Sequence, residues 1–182
     1  YSLNGQKKYV IFGDVSDYFA ILANSKEGLM FVLLNKNSEG LEIKQTSSLD
    51  QTRPMCEINM KDILISDDEI MIGSDSCINT WEKVKNISLG YLAMEQVGGA
   101  QACLDMSTQY AKERIQFGRP IGSFQAIQHI CANMLVQLES AKSVAYSAVR
   151  TDTSEDLEVE MSAMLAKSYC SEAVSYTHLR AH

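Results

Sequence analysis

The sequence lacks the features that mark several classes of protein. No apolar run approaches the roughly 18 to 20 residues of a membrane-spanning helix, so no membrane span is expected. The 16 Lys and Arg residues are outnumbered by 23 Asp and Glu residues, for a formal net charge of −7. Because sequence-independent binding of nucleic acid needs a basic surface, we expect no nucleic-acid partner. An acidic chain can still bind an anionic cofactor through a few well-placed arginines.

Cysteine and histidine are few, and their spacing does not fit a metal site or a disulfide framework. The 5 cysteines form no C-x-x-C pair, and the 3 histidines form no H-x-x-x-H pair. We therefore predict no metal centre and a cytoplasmic protein with reduced thiols, several of them small core residues. The cysteines are Cys56, Cys77, Cys103, Cys131 and Cys170.

The first 72 residues combine short β-branched and aromatic runs with turn-forming residues. Cys56, Ile58 and Met60 alternate with polar residues, which is typical of a half-buried strand. Short strands at this spacing predict an antiparallel β-barrel or sandwich. The runs are 9–12, 18–23, 29–34, 41–43, 56–60 and 63–65.

From about residue 82 onwards, apolar residues recur every three or four positions, as on one face of a helix. The pattern predicts a first helix over 82–116, a second helix after the Gly118–Pro120 break, and a third that begins at a capping box of Asp152 and Glu155. Short connections between long amphipathic helices predict an antiparallel bundle. The predicted inner residues are Ile87, Tyr91, Met94, Val97, Gln101, Leu104, Thr108, Ala111 and Ile115, then Ile127, Cys131, Met134, Leu138, Ala141, Ala145 and Ala148, then Met161, Met164 and Leu165.

Two adjacent glycines, Gly98 and Gly99, lie inside the first predicted helix. Each destabilises a helix by about 1 kcal/mol relative to alanine. We therefore expect close packing or a close ligand beside them.

The stretch from Tyr110 to His129, YAKERIQFGRPIGSFQAIQH, closely resembles the helix-turn-helix signature of the acyl-CoA dehydrogenases. The segments 3–13 and 17–23 resemble the flavin-facing strand pair of the same family, and the two matches follow the family's order. The resemblance implies a truncated middle β-domain over 1–75 and an up-down four-helix bundle, also truncated, over 76–173. The last residues, 174–182, depart from the family pattern and are expected to be a non-native tail.

The resemblance also implies a reaction. Family members use FAD to dehydrogenate an acyl-CoA thioester to the trans-2-enoyl-CoA, and they pass electrons to an electron-transfer flavoprotein or a similar acceptor. A carboxylate takes the α proton, the flavin takes the β hydride, and hydrogen-bond donors polarise the thioester carbonyl. A homotetramer or a mixed tetramer is implied as the assembly.

The same resemblance implies which residues bind the cofactor. Arg114 matches an arginine that reaches the FAD pyrophosphate of a neighbouring subunit, although a cation there could instead complement the helix dipole. Further positions that match cofactor-contacting positions are Gln116, Phe117, Gln125 and the strand residues Tyr9, Val10 and Ile11.

Three departures from the family pattern leave an alternative open. Ile11 lacks the hydroxyl that many members place near the flavin, and Asn86, Ser88 and Leu89 stand where members contact the acyl-CoA. Ile115 occupies one of the two places where the family carries its catalytic Glu, so no catalytic residue is expected in this chain and the base is expected in a later segment. The chain alone should then be inactive. The alternative is a non-catalytic partner subunit of a mixed tetramer; a helical binding module would leave the strand-pair match unexplained.

Overall fold

The computed structural model describes residues 1–150 and 156–180. Within these ranges, no helix is both long enough and apolar enough to cross a membrane. The chain divides into two compact units, Tyr1–Trp81 and Glu82–His182. The domain assignments 1–75, 76–173 and 174–182 stay predictions.

Six strands form two antiparallel sheets in the first unit. One sheet has the order β1-β5-β4 and the other has the order β2-β3-β6, where the strands are β1 (Ser2–Ile11), β2 (Tyr18–Ser25), β3 (Gly28–Asn35), β4 (Leu41–Thr46), β5 (Met55–Leu64) and β6 (Ile70–Ile72). The runs read as strands in the sequence lie almost entirely within β1 to β5. The short β6 was not predicted, because three residues give too little alternation to recognise.

Residues from both sheets form one hydrophobic core. Val32 and Leu34 of β3 and Ile58 and Met60 of β5 are buried, which confirms the predicted alternation along β5. The barrel half of the prediction is wrong. No hydrogen-bonded ladder joins the two sheets among the described strands, so the strands cannot close around an axis and the sandwich describes this unit.

The described residues contain three α-helices, namely α1 (Ser74–Glu113), α2 (Gln125–Arg150) and α3 (Asp156–Arg180). A small hairpin of β7 (Ile115–Gln116) and β8 (Arg119–Pro120) lies between α1 and α2. The first helix begins eight residues earlier than predicted, with Asp75 in a first turn where the helix dipole favours a carboxylate. The predicted capping box of Asp152 and Glu155 lies outside the described residues, and a fourth helix stays a prediction.

Small side chains dominate the core of the second unit. Ala93 and Ala100 of α1, Ala141 and Ala145 of α2 and Ala166 of α3 are all almost completely buried. Such residues let helix backbones approach closely. The predicted inner face of α2 is confirmed, since its buried residues are Met134, Leu138, Ala141 and Ala145.

The inner face of α1 differs from the prediction at its beginning. Val97, Leu104 and Ala111 are buried as expected, but Ile87 and Tyr91 are exposed. Asn86 and Gly90 are buried there instead, and a methyl group on Gly90 would lie 3.5 Å from Val149 Cγ2. At the beginning of α1, the close approach of α2 to Gly90 thus decides which residues face inward, and the hydrophobicity of the side chains does not.

The prediction for α3 is wrong for the same reason. Met161, Met164 and Leu165 are exposed, whereas the buried positions carry small residues. The helix also continues through 174–180, where Thr177 is fully buried and its hydroxyl donates to the Ala173 carbonyl at 2.8 Å. The non-native origin of this segment stays a prediction. The buried positions of α3 are Ala163, Ala166, Cys170, Ala173 and Thr177.

Neither of the two central glycines of α1 is closely packed within the described structure. No atom lies within 4 Å of a methyl group placed on Gly98, and the nearest to Gly99 is His178 Cε1 at 3.8 Å. The close packing expected from the sequence is therefore not found around Gly98.

We expect Gly98→Ala to stabilise the protein by up to about 1 kcal/mol, because alanine restricts the unfolded chain and meets no obstacle. Gly122→Ala is the contrasting variant, since its methyl group would lie 2.9 Å from the Ala111 carbonyl oxygen. That variant should lose about 1–3 kcal/mol. Urea unfolding of the full-length variants measures both changes. A destabilising Gly98→Ala would show that another group approaches this face.

Candidate functional site

The candidate site is built on the segment between α1 and α2, which we call the hairpin connection (residues 114–124). The Arg114 N–H donates to the Tyr110 carbonyl at 2.8 Å, which completes the last turn of α1. The Arg114 carbonyl then accepts from the Ile121 N–H at 2.8 Å. The chain is thereby folded back on itself directly after the helix. Ile115 consequently lies in β7, and not on the helix as the sequence pattern predicted.

The hairpin turns at Phe117 and Gly118, which have φ angles of +52° and +78°. Positive φ at both central residues is the requirement of a type I′ turn, the turn that matches the twist of a two-residue hairpin. Gly118 adopts this conformation readily, whereas Phe117 is strained. Gly122 is needed for a different reason, since its Cα passes too close to the Ala111 carbonyl for a side chain.

The side chains that resemble cofactor-binding residues are exposed on this connection. Arg114, Gln116, Phe117 and Gln125 are all exposed, and Phe117 is 92% exposed. Gln116 donates its amide to the Ile115 carbonyl at 2.9 Å. No described residue accepts a hydrogen bond from the Arg114 guanidinium. The segment 114–125 contains two arginines and no acidic residue. It therefore carries a positive charge, although the whole chain is acidic.

The structure adds a contact that the sequence reading missed. The Arg119 guanidinium carbon lies over the Phe124 ring, 4.2 Å from its centroid. Phe117 meets the same ring edge-to-face, with centroids 6.1 Å apart. No periodic pattern links these residues, because the contact depends on the hairpin register and on the bend at 121–123.

The strand residues Tyr9, Val10 and Ile11 lie in the first unit. The pairing of β1 with β5 shifts between Lys7 and Val10, which marks a β-bulge. Tyr9 has φ of +58° and is 70% exposed, whereas Val10 is half-buried against the core. The bulge therefore turns the aromatic ring of Tyr9 towards solvent at a cost in backbone strain.

The three residues proposed for substrate contact do not share a face of α1. Asn86 is 7% exposed, and its Oδ1 has no hydrogen-bond partner among the described residues. Ser88 is exposed, and its hydroxyl donates to the Val84 carbonyl at 2.7 Å. Leu89 is half-buried. A single ligand surface on α1 therefore cannot include both Asn86 and Ser88.

Two further kinds of chemistry, at a metal ion and at the Cys170 thiol, would depend on side chains among the described residues. No group of three or more His, Cys, Asp or Glu side chains there could hold a metal ion. Burial raises the pKa of the Cys170 thiol, and its Sγ donates weakly to the Ala141 carbonyl at 3.5 Å. Cys170 is thus a protonated core residue rather than a nucleophile.

The comparison with known families agrees with the family resemblance of the segment from Tyr110 to His129. The family model of the acyl-CoA dehydrogenase C-terminal domain matches residues 89–181. The chain belongs to the acyl-CoA dehydrogenase family. The matched range includes the hairpin connection and all of α2.

Relatives extend the similarity to the whole chain. Acyl-CoA dehydrogenase IpdE2 of Mycolicibacterium smegmatis is 45% identical over 84 residues, which cover 46% of this chain and 25% of that protein. Glutaryl-CoA dehydrogenase of Desulfococcus multivorans is 31% identical over 95% of this chain and 46% of its own length. The solved structure of PigA with FAD and proline is 27% identical, with a TM-score of 0.92 over 100% of this chain and 49% of its own. The chain thus spans half or less of these relatives.

Strand positions usually favour valine over glycine, and the left-handed backbone at Tyr9 should reverse this preference. We expect Tyr9→Val to be about 1–2 kcal/mol less stable than Tyr9→Gly, because a β-branched residue fits positive φ poorly. At Tyr18, an exposed residue of β2 without positive φ, valine should instead be more stable than glycine by about 1 kcal/mol. Denaturant unfolding of the four variants checks this. The same order at both positions would contradict the bulge geometry.

Proposed function

We propose that the protein is an FAD-dependent dehydrogenase that oxidises an acyl-CoA thioester between its α and β carbons to the trans-2-enoyl-CoA. Family membership supports the reaction class. By their names, one relative acts on glutaryl-CoA and a solved relative contains FAD. The observation that carries the proposal is the hairpin connection, where Arg114 is exposed and has no hydrogen-bond acceptor among the described residues, and where the Phe117 ring is also exposed.

The residues of the connection fit a dinucleotide. A guanidinium can bind a diphosphate through paired N–H groups, and the missing acidic residues leave no competing acceptor within the segment. Gln116 and Gln125 offer amide donors and acceptors, and Phe117 offers a solvent-facing ring. When bound, FAD supplies the hydride acceptor for the β carbon. These residues would hold and orient it.

The strand Tyr9–Ile11 is proposed to lie beside the flavin ring. Tyr9 presents an exposed aromatic side chain there, and Ile11 is 47% exposed but has only its backbone to offer as a hydrogen-bond donor. The substrate contacts of Ser88 and Leu89 stay a proposal. Asn86 is buried away from the face that carries Ser88, so a substrate that contacts Ser88 is not proposed to contact Asn86.

Arg114→Ala in the full-length protein should weaken FAD binding by about 2 to 3 kcal/mol, or roughly 30- to 150-fold, because a charge-assisted contact to the diphosphate is lost. Titration of the apoprotein with FAD, followed by flavin fluorescence, measures the change. Lys112→Ala is the matched control, since it removes a cation from the last turn of the same helix. If flavin affinity holds while the melting temperature falls, Arg114 complements the helix dipole instead.

The carboxylate nearest to the family's base position is proposed to play no catalytic part. Glu113 is exposed and accepts a hydrogen bond from the Gln109 amide, four residues earlier on α1. Ile115, at the base position itself, can take no proton. The base is therefore proposed to come from a segment outside this chain.

Glu113→Gln should change the rate of flavin reduction by acyl-CoA by less than about threefold, whereas loss of a general base costs roughly 100-fold or more. Anaerobic stopped-flow absorbance of the full-length holoprotein measures this rate. Glu95→Gln gives a second carboxylate variant on α1 for comparison. A hundredfold loss confined to Glu113→Gln would make that residue the base.

The electron acceptor and the assembly belong to the same proposal. Electrons would pass to an electron-transfer flavoprotein or a similar acceptor, and the subunits would form a homo- or hetero-tetramer. Exposed apolar side chains such as Tyr91 on α1 and Met161 on α3 support further helix packing.

The lack of a side-chain hydroxyl at Ile11 favours the second candidate, a non-catalytic subunit of a mixed tetramer. Flavin content of the protein purified with and without its partner distinguishes the two.

A further inference from the structure

Arg119 occupies a position that the cofactor resemblance does not assign. It pairs directly with Gln116 across the two strands of the hairpin. Directly opposed residues of an antiparallel pair project their side chains to the same face. A ligand that contacts Gln116 therefore meets the face of the hairpin that carries Arg119.

The contact with Phe124 orients the Arg119 side chain without using its hydrogen-bonding capacity. The guanidinium carbon lies 4.2 Å from the ring centroid, so the cation rests on the ring face. A guanidinium held in this way keeps its in-plane N–H donors available for an anion. No residue within 1–150 or 156–180 accepts a hydrogen bond from it, and the side chain is exposed.

The surroundings of Arg119 favour an anionic ligand with an aromatic part. Residues 114–125 carry two positive and no negative side chains, and the first turn of α2, which follows directly, has no acidic residue. Phe117 meets the Phe124 ring edge-to-face, and 92% of the surface of Phe117 is exposed. Two cations and an open aromatic ring within one short hairpin match the diphosphate and the base of a nucleotide.

We propose that Arg119 is a second phosphate-binding residue of the hairpin connection, acting with Arg114 on the phosphates of an adenosine diphosphate group. The inference rests on the proposed function, because both FAD and coenzyme A contain this group. Phe124 is the positioning residue that holds the Arg119 guanidinium in place.

The test compares four variants of the full-length apoprotein, namely Arg119→Gln, Arg119→Lys, Phe124→Leu and the control Lys112→Gln. Calorimetry with ADP alone, titration with FAD and titration with coenzyme A give three affinities for each variant. We expect Arg119→Gln to weaken ADP binding about 5- to 30-fold at low salt, with a smaller difference at high salt. Arg119→Lys should lose less, because it keeps the charge but not the planar fork, and Lys112→Gln should change the affinity less than twofold.

The two nucleotide sources give different results. A loss for FAD with unchanged coenzyme A binding identifies the flavin diphosphate as the partner of Arg119, and the reverse result identifies coenzyme A. Unchanged affinity for all three ligands in Arg119→Gln would overturn the inference. Phe124→Leu should lose no more affinity than Arg119→Gln, because Phe124 acts through the Arg119 guanidinium. A larger loss in Phe124→Leu would assign its effect to hairpin geometry and would overturn the positioning role of Phe124.

The proposed function and the inference fail separately. If Arg114→Ala weakens FAD binding but Arg119→Gln does not affect any ligand, the proposed function stands and the inference is wrong. If the wild-type protein binds ADP in an Arg119-dependent way but holds no FAD, the inference stands and the flavin proposal is wrong. A wild-type protein that binds neither FAD nor ADP contradicts both.

Discussion

The hydrogen bond from the Ile121 N–H to the Arg114 carbonyl determines how the hairpin connection is placed at the end of α1. A helix leaves its last carbonyls without partners inside the helix, and this bond satisfies one of them. It also requires the chain to reverse within six residues. The reversal needs two left-handed residues at Phe117 and Gly118 and a glycine at 122, where the backbone passes the Ala111 carbonyl. One backbone contact therefore explains the turn, the missing side chain at 122 and the exposure of Phe117.

Backbone strain occurs at two of the proposed cofactor contacts. Among the described residues, four residues other than glycine have positive φ, namely Tyr9, Phe12, Asp62 and Phe117. Two of them, Tyr9 and Phe117, are also exposed aromatic residues assigned to the cofactor. A left-handed aromatic residue costs on the order of 1–2 kcal/mol, and burial does not repay that cost when the ring faces solvent. A ligand that covers either ring would be a sufficient reason to keep that residue in the left-handed conformation.

The sequence predicted best the elements whose buried side chains are both large and apolar. The alternation in β5 and the inner face of α2 are examples, since large apolar residues such as Ile58 and Leu138 are buried there. The prediction was wrong where small residues are buried and large apolar residues are exposed. In α3, close helix packing selects Ala166 and Ala173 for the interior, and Met161 and Met164 are left outside, so a reading that ranks positions by hydrophobicity chooses the wrong face. Asn86 is a further example, because a pattern of apolar residues does not predict that an amide is buried.

The residues of the candidate site stay predictions from the resemblance, and their arrangement could not be predicted from the sequence. Arg114, Gln116, Phe117 and Gln125 followed from the resemblance, whereas the role of Arg119 depends on a strand register that the sequence does not reveal. The register sets Arg119 opposite Gln116, and the bend after Pro120 brings Phe124 under its guanidinium. Net charge is similarly uninformative about such a site, because interactions beyond about 10 Å are screened at ordinary ionic strength. The nearest charges then decide the local potential. The hairpin connection carries Arg114 and Arg119 and no acidic residue, and the charges of the preceding Lys112 and Glu113 offset each other, on a chain whose formal net charge is −7.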